Sequence, residues 1–274
     1  MYKLQLLITV LLNTPQNKRI TIIEKVMTDN YKAPEAELTN PSAPGEYGSV
    51  EKALAGDYQL APVELLKSAW ATLKGLKTTF WIAAVIYGVI YMALTFAMTA
   101  IVGKSVDPIT GAFSLGAFLA EMSIGLIMVP MAMGLFMIAL KFSVGAKIEV
   151  GELFKHYNKI VPLFLTYLLL YLFIALGLVL LIIPGIYLMI AFTMAVPLVV
   201  EKNMGPWEAL TTSRKAITHK WFPMLGFSLL SMLVIILAAI PLGIGLIWGA
   251  PLVVLAYAIL YRDMFGVEDS TING

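Results

Sequence analysis

Few side chains in the apolar segments of this chain could do chemistry, and Glu121 is the first of them. It lies in LGAFLAEMSIGLIMVPMAMG, residues 115–134. A carboxylate within a membrane span is energetically expensive and marks a candidate proton or cation site. Glu121 also lies only about seven residues, ~10 Å, from the expected outer end of its helix, so reaching the headgroups or pairing with Lys104 is the competing interpretation. Ala117 and Gly125 form with Glu121 a stripe of four-residue spacing suited to helix packing.

The two histidines, His156 and His219, lie in short amphipathic segments rather than in apolar ones. Glu152 precedes His156 by four residues, but a metal site needs further ligands and no HExxH arrangement is present. The favoured interpretation for both is a solvated interfacial histidine. The chain has no cysteine, which excludes thiolate metal sites and cysteine nucleophiles. We therefore predict no metal site.

Motifs that hold cofactors or nucleophiles are also missing from the sequence. No Walker A motif, dinucleotide fingerprint or GxSxG occurs. The glycines of PLGIGLIWG lie in an expected membrane turn and helix, which argues against a phosphate-binding loop. No pair of titratable residues converges within the apolar segments, so we predict no catalytic residue, no cofactor and no enzymatic activity.

The composition indicates the environment in which these residues act. Hydrophobic residues make up 59% of the 274 and charged residues 13%, whereas soluble domains carry about 25% charged residues. The deficit is concentrated in long apolar runs, which are typical of bilayer spans. The net charge of +2 gives no reason to expect a nucleic-acid partner. The sequence therefore predicts a multi-pass membrane protein.

One uncharged segment, residues 160–200, shows how the spans are organised. Its 41 residues would extend about 60 Å as one helix, twice the ~30 Å hydrocarbon core. The segment must therefore cross twice. Pro184 and Gly185 lie close to its midpoint and favour a turn, which must lie at the membrane surface because lipid cannot satisfy freed backbone groups.

The same pattern occurs twice more along the chain. Residues 221–261 are again 41 without charge, and Pro241 stands at their midpoint. Residues 78–141 form a third candidate hairpin, with GKSVDPITG (103–111) as its polar turn. The fold class predicted is an all-α polytopic membrane bundle of six transmembrane helices arranged as three hairpins. The predicted spans are residues 79–102, 114–140, 160–182, 185–201, 222–240 and 244–262.

Each predicted hairpin follows a short amphipathic segment: residues 64–77, 152–159 and 208–220. A basic helix with an apolar face lies in the headgroup region, where its cations meet anionic lipid. Two interpretations stay open, a threefold repeat of connector plus hairpin and three connectors that are similar independently. The candidate lipid-headgroup contacts are Lys67, Lys74, Lys77, Lys155, Lys159, Arg214, Lys215 and Lys220.

Charge placement predicts the orientation of the bundle. Basic residues concentrate at cytoplasmic ends of membrane helices. Twelve lysines and arginines lie at one set of ends and only Lys104 at the other, so both termini are expected in the cytoplasm. Aromatic residues favour the two interfaces. Trp81, Trp207, Trp221 and Tyr261 are expected at the inner boundary and Trp248 at the outer.

The first 60 residues differ from the rest. Residues 27–60 hold six acids, two lysines and several prolines and glycines, a composition that cannot bury enough apolar surface to fold alone. We predict a disordered cytoplasmic tail over 1–60, with a partner-docking arm as the alternative; residues 1–26 are interpreted as an extension from an upstream start. The membrane domain is predicted over 61–264 and a short cytoplasmic tail over 265–274.

Residues 180–225 carry a family resemblance. They contain a Pro184-Gly185-Ile186 turn, a helix ending at Pro197 to Glu201, and Ala209-Leu210 followed by Ser213. This pattern resembles the YciC-type family of bacterial inner-membrane proteins and is similar to the membrane domain attached to some glycerophosphodiester phosphodiesterases. The resemblance implies a six-span inner-membrane bundle. Nothing in the chain resembles the phosphodiesterase catalytic domain, so that activity is not expected.

Two hypotheses about function follow. The leading one is a non-enzymatic inner-membrane protein that acts through lipid or protein partners, including anionic headgroups on the cytoplasmic side, a protein partner or a second copy of the chain. The alternative is a small-molecule or ion transporter or channel with a site near Glu121, because transporters are often built from repeats and interrupted helices. Against the alternative, the spans lack the several polar groups that such a site normally presents.

Overall fold

The computed structural model describes residues 47–104 and 111–273, which form helices joined by turns. No strand occurs in this part of the chain. Three short 3-10 segments, Leu73–Gly75, Val150–Phe154 and Tyr157–Lys159, join some of the helices. The α-helices are α1 (Val50–Ala55), α2 (Pro62–Thr72), α3 (Lys77–Val102), α4 (Leu115–Ser143), α5 (Ile160–Leu180), α6 (Ile182–Ala191), α7 (Ala195–Glu201), α8 (Pro206–Thr218), α9 (Trp221–Ala239), α10 (Leu246–Phe265) and α11 (Asp269–Asn273).

Six helical segments of the described residues are long and apolar enough to cross a bilayer, judged by length and composition. They are α3, α4, α5 with the 3-10 turns before it, α6 together with α7, α9 and α10. The predicted number of spans is confirmed. The α-helical ends lie within three residues of the predicted ones.

Helices α3, α5 and α9 present large apolar side chains on their outer surface. Phe96 on α3 is 79% exposed and Val179 on α5 is 84% exposed. In α3 only Phe80 and Ala83 are buried. Apolar surface of this extent is unfavourable in water and fits a hydrocarbon solvent. Each helix pairs its own backbone groups, which is the condition for lying in lipid.

The core lies towards one end of the bundle, where the second halves of α4 and α10 meet. The rings of Phe136 and Tyr261 pack edge to face at 5.8 Å, and Tyr261 is completely buried. Arg262 Nη1 donates to the carbonyl of Ser143 at 2.6 Å. We call the region around Ser143 and Arg262 the basic end of the bundle, because lysines and arginines gather there.

The turn between α5 and α6 lies at Leu181, three residues before the predicted Pro184–Gly185 turn. Leu181 alone is extended between two helices, and Pro184 lies in the first turn of α6, where a missing N–H costs no helical bond. Gly185 has a packing role instead. A Cβ added at Gly177 would lie 2.9 Å from the Cα of Gly185, so the two glycines allow the helix backbones to touch.

The fourth span is broken into α6 and α7, with Phe192, Thr193 and Met194 in a turn between them. Pro197 explains the break, because proline lacks the N–H that would bond four residues back, and its ring clashes with that carbonyl. Ser213 of α8 satisfies backbone groups at the break. Its Oγ donates to the carbonyl of Ala191 at 2.7 Å and accepts from the N–H of Met194 at 3.2 Å.

A second proline, Pro251, lies inside α10 and leaves the carbonyl of Ile247 without its helical donor. Trp81 Nε1 donates to that carbonyl at 3.0 Å. Lys77 Nζ lies 5.3 Å from the centre of the Trp248 ring. The prediction that Trp81 and Trp248 occupy opposite boundaries is therefore wrong, because the start of α3 packs beside the start of α10.

Both predicted tails are partly folded against the bundle, so the predicted boundaries at 60 and 265 are wrong. Tyr58 is buried, donates to the carbonyl of Ala216 at 3.1 Å, and has its pKa raised to about 12 by burial. Gly48 and Gly266 approach so closely that a Cβ on either would overlap the opposite backbone. Thr271 in the last helix is buried. Residues 1–46, including the predicted extension, lie outside the described residues.

The three connectors predicted to be alike have different structures. The first contains an α-helix, α2, with Trp70 58% exposed. The second, residues 152–159, consists of 3-10 turns and buries Glu152 and Leu153. The third, α8, buries one face that includes Ser213. Similar patterns of charge and apolar residues therefore accompany three different conformations.

Substitution of Gly177 tests the contact between α5 and α6, and substitution of Gly226 is the control. Gly177→Ala is expected to destabilise the protein by about 1–3 kcal/mol, because the added methyl group overpacks the helix crossing. Gly226→Ala on α9 is the matched control, since a Cβ there meets nothing within 4 Å. Thermal unfolding of the purified protein in detergent measures both. Equal unfolding temperatures for the two variants would show that the close crossing is absent.

Candidate functional site

A polar cavity of about 400 Å³ lies at the basic end of the bundle. Its wall combines α4, the 3-10 turns before α5, the end of α7 with Asn203 in the loop after it, and α11. Most of its lining is charged or hydrogen-bonding, unlike the apolar surfaces of the spans. The lining residues are Met137, Lys141, Glu152, Lys155, His156, Asn158, Lys159, Val200, Glu201, Asn203, Ser270 and Thr271.

Gly134 of α4 allows the connector to reach this wall. A Cβ at Gly134 would lie 2.5 Å from Leu153 Cα and 2.7 Å from the carbonyl oxygen of Glu152. The backbone of the 3-10 segment therefore rests directly on the α4 backbone. Lys141 lies two helical turns further along α4, so this contact brings Glu152 within reach of its ammonium group.

Glu152 is the centre of a buried ion-pair cluster. Its Oε1 accepts from Lys141 Nζ at 2.9 Å and from Lys155 Nζ at 2.7 Å. The Lys141 and Glu152 side chains are 5% and 2% exposed. Ions taken out of water this far are tolerated only with close, hydrogen-bonded partners. The cluster ties the connector to α4 and determines the shape of one side of the cavity.

Glu201 ties the opposite side of the cavity together. Its Oε2 accepts from the Tyr261 hydroxyl at 3.0 Å, and its Oε1 accepts from the backbone N–H of Glu268 at 2.6 Å. Lys202 Nζ lies 3.4 Å from Glu201 and 2.7 Å from Glu268. One buried carboxylate therefore joins α7, α10 and the C-terminal segment.

Lys159 and His156 border the cavity with fewer partners. Lys159 Nζ donates to the carbonyl of Val200 at 2.6 Å. Among the described residues no carboxylate lies within 4.0 Å of that ammonium group. His156 Nε2 is buried and has no hydrogen-bond partner in the described part of the chain. The prediction of a solvated His156 is wrong, because the 3-10 turns direct its ring into the protein.

The remaining predicted headgroup contacts are distributed over the surface. Three of them, Lys74, Arg214 and Lys215, are exposed. Lys67 pairs with Glu64 at 2.9 Å on the exposed face of α2. Lys77 lies beside Trp248 as described above. Lys220 donates to the carbonyl of Tyr58, and its Nζ lies 4.9 Å from the centre of the Tyr58 ring. Lys220 therefore stabilises the packing of Tyr58 more than it contributes to the exposed surface.

Glu121 lies on an exposed part of α4, away from the cavity residues. Ala117 is buried, but Gly125 is exposed and a Cβ there would meet nothing within 4 Å. The stripe formed by these three residues therefore does not pack as a unit against another helix. The structure does not bring Glu121 together with Lys155 or with Lys159.

Sequence reasoning missed the two buried carboxylates, Glu152 and Glu201. Glu201 ends an uncharged stretch and Glu152 begins a connector. These positions indicated only a helix boundary. One available signal was that Glu201 closes a run of 41 uncharged residues. Its partner Tyr261 is 60 positions away in the chain, so no local pattern indicates the contact.

Fold and site together define an all-helical bundle with six candidate membrane spans, consistent with an integral membrane protein. Comparison of the chain with protein-family models finds no match, and comparisons with curated proteins and with solved structures also find none. The similarity to YciC-type proteins therefore stays a prediction. In the described residues no three His, Cys, Asp or Glu side chains group as a metal site would require.

The ion-pair cluster makes a prediction about stability. Glu152→Gln is expected to cost about 3–5 kcal/mol, because Lys141 then keeps a buried charge without this carboxylate. The double variant Lys141→Met with Glu152→Leu should recover most of the loss, since an apolar pair of similar size removes both buried charges. Chemical unfolding in detergent gives the free energies.

The matched control is the exposed pair of Lys147 and Glu149, whose side chains are 84% and 50% exposed. Glu149→Gln should change stability little or not at all, because exposed ion pairs contribute little. A loss for Glu152→Gln no larger than that for Glu149→Gln would contradict the buried cluster.

Proposed function

We propose that this chain is a non-enzymatic, multi-pass protein of the bacterial inner membrane, related to YciC-type proteins, that acts through anionic lipid. The observation that carries the proposal is the concentration of basic side chains at one end of an otherwise apolar bundle. Buried charges there are paired, while Lys74, Arg214 and Lys215 are exposed. Exposed cations beside apolar spans attract anionic headgroups, each contributing about 1 kcal/mol near the surface.

The proposal places the basic end and both termini in the cytoplasm, following the placement of lysines and arginines. The end of α3 at Val102 and the start of α4 at Leu115 then face the opposite side. Single cysteines can be introduced without interference because the chain has no cysteine of its own. A cysteine at Gly111 should react with a membrane-impermeant maleimide added to intact cells. A cysteine at Lys215 should react only after permeabilisation, and the reverse pattern would overturn the orientation.

The alternative of a transporter with a site near Glu121 has one supporting observation, the break between α6 and α7. Interrupted helices occur at midplane sites of transporters. Two features weigh against it. Ser213 already bonds backbone groups at the break, and Glu121 is exposed on α4 rather than enclosed among helices. Lipid binding at the basic end accounts for more of the observed charge arrangement.

Lipid preference can be measured by native mass spectrometry of protein released from mixed bilayers of phosphatidylglycerol and phosphatidylcholine. The wild-type protein should retain phosphatidylglycerol preferentially. The triple variant Lys74→Gln, Arg214→Gln, Lys215→Gln should lose most of that preference, by up to about fivefold per charge removed.

The matched control keeps the charges: Lys74→Arg, Arg214→Lys and Lys215→Arg. This variant should retain the preference, because long-range attraction to anionic lipid depends on charge rather than on headgroup shape. Undiminished enrichment in the triple glutamine variant would refute the proposed role of the exposed basic residues.

A further inference from the structure

We propose that the cavity at the basic end is a binding site for a phosphate group, carried by an anionic lipid headgroup or by free phosphate. This inference rests on the proposed function and gives it a defined site. It differs from general attraction at the surface, because the residues concerned line one cavity between α4, α7, α11 and the connector before α5.

Charge is the first reason. Three lysines and two glutamates line the cavity, which leaves one positive charge in excess when all are ionised. Both carboxylates are occupied by protein donors. Glu152 accepts from two lysines, and Glu201 accepts from a tyrosine hydroxyl and a backbone N–H. A cation would have to displace those donors, whereas an anion would not.

Donors that lack a full set of partners are the second reason. A lysine ammonium group has three N–H donors, and Lys159 directs two of them at the carbonyls of Val199 and Val200, at 3.5 and 2.6 Å. These carbonyls belong to the C-terminal end of α7, whose partial negative charge opposes an anion. Lys159 offsets that charge. His156 Nε2 adds a buried ring nitrogen without a partner.

The start of α5 is a third, supporting feature. This helix of 21 residues begins at Ile160 with no side chain capping it. The helix dipole favours negative charge at such an end. Of the first three residues only Val161 offers an N–H there, because the N–H of Ile160 bonds the carbonyl of Tyr157 and Pro162 has none. Asn158 and Lys159, which precede the helix, both line the cavity. Asn203 also lines the cavity and has the left-handed backbone conformation that asparagine tolerates (φ 55°).

A purely structural role explains only part of the cluster. The bonds among Lys141, Glu152 and Lys155 attach the connector to α4 and need no ligand. They leave unexplained the buried nitrogen of His156 and the ammonium group of Lys159, which has no carboxylate within 4.0 Å among the described residues. A bound phosphate would accept a hydrogen bond from the Lys159 ammonium group, and from His156 in the neutral tautomer that carries its proton on Nε2.

A lipid is the favoured source of the phosphate. Phe154 and Val161, on either side of the lysine-bearing turn, are 50% and 62% exposed. Apolar side chains are therefore exposed directly beside the cavity residues. A lipid can place acyl chains along this surface while its phosphate enters the cavity, as basic pockets between membrane helices do with lipid headgroups.

The experiment titrates the full-length protein in a non-ionic detergent with three probes and follows its unfolding temperature. The probes are dihexanoyl phosphatidylglycerol, inorganic phosphate and dihexanoylglycerol, which has no phosphate. Saturable stabilisation by the phosphatidylglycerol and none by dihexanoylglycerol is expected. If inorganic phosphate stabilises equally well, the ligand is free phosphate; if it does not, the ligand is the lipid headgroup.

Variants identify the cavity as the site. Lys159→Gln should weaken binding of the phosphatidylglycerol about tenfold or more, because a charge-assisted hydrogen bond is lost. Asn158→Asp should weaken it comparably by adding negative charge, and it decides the matter if Lys159→Gln does not fold, since Asn158 is exposed. Lys147→Gln, which alters a lysine that is 84% exposed and does not line the cavity, should bind within about twofold of the wild type because its charge is screened by solvent.

The outcomes separate this inference from the proposed function. Absence of saturable binding by both phosphate-bearing probes would overturn the cavity site, and so would wild-type affinity in both Lys159→Gln and Asn158→Asp. If the bilayer preference for phosphatidylglycerol persists in those cases, the proposed function stands without the cavity. If that preference is also missing from the wild-type protein, both fail.

Discussion

Every backbone polar group of a span must find its partner within the protein, because hydrocarbon offers none. Helices meet this condition along their length, but prolines and helix breaks do not. Ser213 bonds the backbone on both sides of the break between α6 and α7, and Trp81 occupies the carbonyl released by Pro251. Helices α8 and α3 are therefore held in place by hydrogen bonds to backbone groups that would otherwise be unpaired.

The same solvent determines where charge can lie. An ionised side chain is costly in hydrocarbon, so lysines, arginines and glutamates gather where the helices end. Close packing there buries several of them, and each buried carboxylate then requires donors. Glu152 takes two lysines and Glu201 takes Tyr261 and a backbone N–H. A polar cavity lies between these two clusters, so residues that hold the helices together also line the cavity.

The spans could be predicted because length and charge are local properties. A run of 41 uncharged residues is too long for one crossing wherever it occurs. The role of Gly185 could not be predicted, since a glycine at a turn and a glycine at a helix crossing have the same local sequence. Residues 47–60 were misassigned for a related reason. Their composition cannot support independent folding, but the buried Tyr58 donates to the carbonyl of Ala216 on α8, and the N–H of Gly48 donates to the carbonyl of Arg262 on α10.

The sequence by itself determined the helical class, the six apolar segments and the gathering of basic residues at their ends. The hydrophobicity of a segment is the sum over its own residues, so it can be calculated without knowing which residues contact one another in the fold. Only the tertiary structure decided which charges are buried and which groups they contact. Lys141 and Glu152 meet because Gly134 lets two backbones touch, and the enclosure of His156 follows from that contact. Such pairings depend on distances across the fold, which no local pattern encodes.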